Sequence, residues 1–135
     1  MPDDEWWHGS REPLLEIRPF LHLGSLAQAQ MRGGRGCVLT RVEILPGRTL
    51  RRRDTGSWKE KDLQAIASRG AGLVRYLNRF EGIPLEEFDE ARARCSDIDS
   101  LSDGRFRKLV PSSQDSYLVL DPALARIVDG PDDRG

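Results

Sequence analysis

Two histidines near the start of the sequence stand beside small residues, in settings that suit ligand binding. His8 is followed by Gly9 and Ser10, and His22 ends a short apolar stretch just before Gly24. A glycine beside a histidine lets a ligand approach the backbone, while the imidazole and the hydroxyl offer hydrogen bonds. The flat His22 ring could also stack on an aromatic group of a ligand. The alternatives are an ordinary turn at His8 and a half-buried, hydrogen-bonded histidine at position 22.

Two acidic residues in the second half of the chain stand at the edges of predicted strands. Glu81 follows a segment that begins at Tyr76 and includes Asn78, and Asp115 precedes the apolar segment Tyr117–Leu120. A carboxylate at such an edge can be aimed at a sugar hydroxyl. It can also stabilise positive charge on the sugar ring, as cleavage of a glycosyl bond requires. Either acid could instead cap a turn.

Short strands and short helices alternate along the chain and must position these residues. Gly9 and Ser10 are expected to form a turn, and Pro13–Ile17 is either a short helix or an extended piece. The pattern as a whole is mixed α+β. Strands are predicted at Phe20–Leu23, Cys37–Leu45, Leu73–Leu77 and Tyr117–Leu120, the last of these being the final strand, and helices after Ser25, over Trp58–Ser68 with Ser57 before it, and over Pro84–Arg94.

Length and composition indicate one small domain over residues 1–135 with a modest core. The 21 basic and 22 acidic residues almost cancel, so no overall field draws the chain to nucleic acid or a membrane. No apolar run is long enough for a membrane span, and a cytoplasmic location is the default. The polar ends, 1–5 and 130–135, are expected to fray. Cys37 and Cys95 stand far apart, which favours buried reduced thiols over a zinc site or a disulfide.

A basic run at Arg48 and Arg51–Arg53 lies between a predicted strand and a predicted helix. Guanidinium groups there could grip a pyrophosphate or an acidic target. A solvated loop is the alternative.

Several short segments, in order, resemble motifs of ADP-ribosyltransferases. Trp7–Arg11 resembles the first NAD-binding motif of the poly(ADP-ribose) polymerase branch. The remaining segments are similar to phage- and plasmid-borne ADP-ribosyltransferase-like domains: His22–Ser25 with Ala29 and Arg32 to their second motif, Asp54–Trp58 to another familiar stretch, and Leu73–Gly82 with Asp115–Pro122 to their closing pattern.

The resemblance implies a small ADP-ribosyltransferase-like fold with split mixed or antiparallel sheets and short helices. It also implies NAD as substrate and no metal. On this basis His8 bonds a ribose of NAD, the Gly9 backbone holds the nicotinamide carboxamide, and Ser10 contacts the neighbouring ribose. His22 replaces a tyrosine that usually stacks on nicotinamide. The implied NAD-binding set also includes Ser25, Tyr76 and Asn78.

The catalytic acid of the family is a glutamate that directly precedes an aromatic residue at the start of a late strand. Here Ser116 directly precedes Tyr117, and Asp115 stands one place earlier. Asp115 is therefore the first candidate and Glu81 the second, and both could be needed. The segment 83–113, an insertion between the last two motifs, is expected to form a flap that faces the substrate.

The resemblance implies a transferase that moves ADP-ribose from NAD to a macromolecule, more readily a protein than a nucleic acid. Such proteins include toxins and effectors delivered into a target cell, some with a neutralising partner. One alternative is an NAD glycohydrolase of the same fold. Another is a catalytically silent domain that binds NAD, ADP-ribose or a protein. An RNA-handling protein is disfavoured by the balanced charge.

Overall fold

The computed structural model describes residues 5–129, so the expected fraying of 1–5 and 130–135 lies outside them except at Glu5. Two sheets and four α-helices make up this part of the chain. The strands are β1 (Trp6–Ser10), β2 (Leu21–Leu23), β3 (Val38–Ile44), β4 (Thr49–Arg51), β5 (Leu73–Leu77), β6 (Asp115–Val119) and β7 (Ala125–Asp129). The helices are α1 (Leu26–Gly33), α2 (Glu60–Ser68), α3 (Leu85–Arg94) and α4 (Asp103–Leu109).

The strands form one sheet of three and one of four. The first sheet has the order β1-β3-β7 and is antiparallel. The second has the order β2-β6-β5-β4, with β4 and β5 parallel and the other pairs antiparallel. The sheets meet where the backbones of Trp7 and Gly24 exchange hydrogen bonds of 2.8 and 3.0 Å. This arrangement confirms the α+β class.

The main core lies between the two sheets, where Leu23, Val42 and Val119 pack together. The opposite face of the second sheet carries Val74 and Leu118, which pack against α2. Side chains alternate between the faces of a strand, and directly paired residues share a face. The register therefore places one group of polar side chains on the face toward α2 and another group on the face toward the first sheet. On the α2 side lie His22, Tyr76 and Ser116, and on the intersheet side lie Arg75, Asp115 and Tyr117.

The insertion 83–113 folds into a compact unit around its own apolar cluster. Ile83, Phe106 and Val110 are almost fully buried there, together with Leu77 from the end of β5. The Arg79 guanidinium lies 4.6 Å from the centre of the Phe106 ring and donates to Asp103 at 2.8 Å. Leu77 therefore joins the insertion to the second sheet, and the expectation of a flap is replaced by a packed subdomain.

Most of the predicted elements are present, with small shifts at their ends. The structure confirms the predictions of strands β2, β3 and β5 and of helices α1 and α3. Helix α2 begins at Glu60, and no side chain caps it. Gly9 and Ser10 lie inside β1 instead of a turn, because both residues pair with β3. Pro13–Ile17 forms neither helix nor strand.

Four elements were not predicted, and one prediction about chain order was wrong. The sequence did not predict strands β1, β4 and β7 or helix α4, and β7 follows β6. The segment Tyr117–Leu120 is therefore not the final strand, and the strand that contains it starts at Asp115. Both cysteines are free thiols, but Cys37 and Cys95 are half-buried and not buried as expected. No helix within residues 5–129 is long and apolar enough to cross a membrane.

Candidate functional site

Two adjoining cavities lie between α1 and the ends of β5 and β6. They share Arg32, Tyr76 and Glu81 in their walls, and together they are called the cleft below. The inner cavity has a volume of about 10 Å³, room for one water molecule, and the outer one about 140 Å³. The other residues that line the inner cavity include Trp7, Gly9, His22, Gln28 and Ser116; those of the outer one are Asp54, Gly56, Trp58, Asn78 and Phe80.

His22 and Tyr76 form the centre of the inner cavity. His22 Nδ1 and the Tyr76 hydroxyl lie 3.1 Å apart, and the two rings meet edge to face. Burial, helped by the positive charge of Arg32, lowers the pKa of His22 to about 3. Burial also raises the pKa of the Tyr76 phenol well above its ordinary value. Both rings are therefore neutral at physiological pH, and both serve as uncharged hydrogen-bonding groups.

A hydrogen bond to the backbone of His22 fixes the His8 ring. Its Nδ1 lies 3.1 Å from the His22 carbonyl oxygen, which can only accept, so Nδ1 carries the proton and donates. Burial lowers the pKa of His8 despite this bond. The neutral ring thus has Nε2 as an acceptor. His8 supports the wall of the cleft without lining either cavity.

Asn78 holds Glu81 in place at the end of β5. The Asn78 side-chain oxygen accepts from the backbone N–H groups of Phe80 (3.0 Å) and Glu81 (2.8 Å). Its amide nitrogen donates to Glu81 Oε1 at 3.1 Å and to Ser116 Oγ at 3.0 Å. Asn78 is only 3% exposed, so the turn and the carboxylate are fixed by a buried amide.

Gln28 extends this network to helix α1, a role that the sequence did not predict. The Ser116 hydroxyl donates to Gln28 Oε1 at 2.7 Å, and Gln28 Nε2 donates to the Gln114 carbonyl at 3.0 Å. Gln28 also completes a capping box with Ser25. The spacing Ser25-x-x-Gln28 signals that capping box, but no local pattern reveals the bond to β6.

Glu81 faces a cation across the cleft. Its Oε2 lies 3.4 Å from Arg32 Nε at the C-terminal end of α1, and the two side chains are 24% and 37% exposed. An ion pair this exposed contributes little to stability, about 0–1 kcal/mol. The pair lies in the walls of both cavities, and it can separate at low cost.

The segment Asp54–Trp58 forms the outer wall. Asp54 is 6% exposed and accepts from the backbone N–H of Gly56 (2.9 Å) and of Arg79 (3.1 Å). The Trp58 ring lies 4.8 Å from the Tyr76 ring. The segment that resembles a known motif therefore borders the same cleft as Glu81.

Asp115 lies outside the cleft, on the intersheet face of β6. Arg75 Nε donates to its carboxylate at 2.7 Å, and Arg51 donates through two nitrogens at 3.0 and 3.1 Å. Burial opposes ionisation, but these hydrogen bonds outweigh it and hold the pKa of Asp115 below its usual value. The structure thus separates the two candidate acids: Glu81 borders the cleft, and Asp115 is occupied by two arginines.

Three other predicted ligand-binding residues have structural partners instead. A Cβ on Gly9 would lie 2.0 Å from the Ala29 carbonyl oxygen, so this glycine lets α1 pack on β1, although it still lines the inner cavity. Ser10 donates to the Glu12 carbonyl at 2.6 Å, outside the cleft. Ser25 accepts from Gln28 N at 3.1 Å as the N-cap of α1.

The basic run does not reach the cleft. Arg51 pairs with Asp115, and Arg53 donates to the backbone carbonyl of Asp99. The lining of the cleft contains a different arginine, Arg32, which belongs to the second matched motif. A pyrophosphate grip by Arg51–Arg53 at this cleft is therefore not supported.

Comparison of the chain with protein-family models, with curated proteins and with solved structures finds no match. Within the described residues no group of three or more histidine, cysteine, aspartate or glutamate side chains could hold a metal ion.

Proposed function

We propose that this chain has an ADP-ribosyltransferase-like fold, binds NAD at the cleft and cleaves its nicotinamide–ribose bond, with ADP-ribose passing to a macromolecule. One observation carries the proposal. Segments distant in the sequence that resemble NAD-binding motifs meet at a single hydrogen-bonded cleft, which joins His8, His22, Tyr76, Asn78 and Glu81. A set of unrelated short matches would have no reason to converge in this way.

The chemistry of the cleft suits the cationic nicotinamide ring of NAD and the ribose bonded to it. NAD supplies a glycosyl bond whose electron pair leaves with nicotinamide. The neutral His22 and Tyr76 rings provide hydrogen bonds without a competing positive charge on either group. Glu81 provides a negative charge, and it stabilises positive charge that develops on the ribose. Asn78 holds the carboxylate in one orientation.

In this proposal Arg32 has two roles: its ion pair sets the size of the cleft, and its guanidinium binds the ligand. The cavities of about 10 and 140 Å³ are smaller than the roughly 300 Å³ or more that small-molecule sites usually offer. Because Arg32 and Glu81 border both cavities, separation of this ion pair joins them into one larger space. The guanidinium that is released then offers donors to an anionic group of the ligand.

Glu81 is assigned the catalytic role in place of Asp115, the first candidate from sequence. Glu81 borders the cleft beside Tyr76, whereas Asp115 projects to the other face of β6 and already has two arginine partners. The acceptor of ADP-ribose is proposed to be a protein, since the chain carries no excess of basic residues to recruit a nucleic acid.

A second candidate function is a silent domain of the same fold that binds a partner without cleaving NAD. The small volume of the inner cavity and the internal bonding of His8 and His22 favour it, because these groups already satisfy one another. The same experiment separates the two functions.

The test is release of nicotinamide from NAD by the purified chain, with and without cell lysate. We expect the wild type to release nicotinamide and Glu81→Gln to lower the rate roughly 100-fold, because a preorganised charge is lost. Glu90→Gln, which changes an exposed carboxylate on α3 in the same way, should match the wild type. Lysate dependence indicates a transferase, and release without lysate indicates a hydrolase.

Asp115→Asn completes the comparison. It should keep activity wherever circular dichroism shows that it folds, because Asp115 lies outside the cleft. Equal rates for the wild type and Glu81→Gln would contradict the role of Glu81. No release by the wild type in either condition would favour the silent domain.

A further inference from the structure

A second pocket lies on the intersheet side, away from the cleft. It has a volume of about 380 Å³, within the range of small-molecule sites, and its walls include Trp6, Trp7, Leu26, Arg75, Arg107 and Asp115. Arg75 and Asp115 project to the opposite face of the second sheet from Tyr76 and Ser116. Trp7 borders both this pocket and the inner cavity of the cleft, and it separates them. This space is called the tryptophan–arginine pocket below.

The charge available in the pocket is positive. Its two acids are already paired, Asp115 with Arg51 and Arg75, and Glu5 with Arg41 at 3.2 Å. Arg107 lies exposed on α4 and has no ion-pair partner within residues 5–129. An anion that enters the pocket therefore meets a guanidinium that no carboxylate occupies.

Neighbouring side chains hold Trp6 and Arg75 of the pocket wall in place. The Trp6 ring contacts the Tyr117 ring edge to face at 4.7 Å, and the Arg75 guanidinium lies 5.9 and 5.2 Å from the centres of these two rings. Arg75 is fixed in turn, since it donates to Asp115 and to the Tyr117 hydroxyl at 2.9 Å. Indole rings and fixed guanidinium planes provide stacking surfaces for planar rings.

We propose that the tryptophan–arginine pocket binds a small nucleotide, with its base against Trp6 and Arg75 and its phosphate on Arg107. Neither the aromatic walls nor Arg107 alone would select a nucleotide. Phosphate recognition needs the unoccupied Arg107, and recognition of a planar base needs the aromatic walls. The pocket and its ligand are independent of NAD cleavage at the cleft.

The test is calorimetric titration of the full chain with AMP, adenosine and inorganic phosphate. We expect AMP to bind more tightly than either fragment. Arg107→Ala should weaken AMP binding roughly tenfold, because a charge-assisted hydrogen bond is lost. Arg105→Ala, an exposed arginine on the same helix that does not line the pocket, should leave the affinity unchanged. Since Arg107 is exposed, its substitution leaves the fold intact.

Glu81→Gln distinguishes this pocket from the cleft. It should bind AMP as the wild type does, whether or not the protein cleaves NAD. Equal AMP affinity in Arg107→Ala and the wild type would overturn the proposal. Loss of AMP binding in Glu81→Gln would overturn it as well, because the nucleotide would then occupy the cleft.

Discussion

At the level of single residues, His22 combines deep burial with a hydrogen bond to an uncharged partner. Its Nδ1 lies next to the Tyr76 hydroxyl and not next to a carboxylate, so no negative charge beside Nδ1 stabilises a protonated ring. Burial and the nearby Arg32 charge lower the pKa of His22 to about 3. The ring consequently stays neutral across the physiological range, where it can donate or accept but does not repel a cation.

The depressed pKa of His22 predicts a specific dependence of stability on pH. The unfolded chain protonates His22 near pH 6.5, whereas the folded chain does so only near pH 3. The unfolded state binds more protons between these values, so stability is complete above pH 6.5 and declines as the pH falls toward 3. The contribution is roughly 1 kcal/mol per pH unit.

Urea unfolding of the wild type and His22→Gln at several pH values from 7 to 4.5 checks this prediction. His22→Gln should show the shallower slope, to which His8 still contributes because its pKa is lowered as well. Asp115 titrates below this range, so it does not interfere. Parallel slopes for the two proteins would contradict the assigned burial of His22.

The sequence alone could predict those residues of the cleft that stand in short, contiguous motifs. The sequence identified His8, His22, Tyr76, Asn78 and Glu81, because each stands in a short recognisable segment. It ranked Asp115 above Glu81 because a one-residue shift at a strand start has no local signature. Side chains alternate along a strand, so that shift decides on which face the acid projects.

At the level of elements, the contact between α1 and β1 depends on Gly9. The helix lies so close that a Cβ at position 9 would come within 2.0 Å of the Ala29 carbonyl oxygen, a backbone atom that cannot rotate away. This contact brings Gln28 and Arg32 on α1 next to the ends of β5 and β6. The position of the helix, and with it the width of the cleft, follows from the absence of one side chain.

Paired glycine substitutions test this contact. Gly9→Ala should destabilise the protein by about 1–3 kcal/mol, because the helix must move to relieve the overlap. Gly104→Ala, within α4 and with open space around its Cβ, should instead stabilise by up to about 1 kcal/mol. Urea unfolding at pH 7 measures both. A neutral Gly9→Ala would mean that α1 does not pack on β1 as described.

Elements with strong local signals were predicted, and those that depend on pairing with a distant strand were not. Strand β3 has seven residues and alternating apolar positions, and α1 begins with a capping box. Strand β4 has three residues, and it exists only because β5 lies beside it in parallel. Tertiary pairing of this kind leaves no period in the sequence.

At the level of the whole molecule, the insertion 83–113 and the two sheets form one body. Leu77 at the end of β5 packs into the cluster around Phe106, and Arg79 reaches from the same connection to Asp103 and the Leu101 carbonyl. The turn that carries Asn78 and Glu81 lies next to these residues in the chain. The insertion therefore supports the cleft from behind.

Phe106→Ala tests the unity of the fold. Phe106 is 1% exposed, so its truncation should cost about 3–5 kcal/mol while unfolding remains a single transition. Leu85→Ala, at a position 77% exposed on α3, should change stability by less than about 0.5 kcal/mol. Urea unfolding followed by circular dichroism compares them. A separate early transition in Phe106→Ala, with the main transition unmoved, would indicate an independent flap.

The central claim, that NAD binds at the cleft, is tested most directly by the nuclear magnetic resonance signals of the two histidines. The chain has only His8 and His22, and each ring signal reports on the cleft. If NAD binds at the cleft, both Cε1–H resonances shift together as NAD is added and reach a plateau. Resonances that stay unmoved at NAD concentrations that saturate binding by calorimetry, or the absence of binding by both methods, would contradict it.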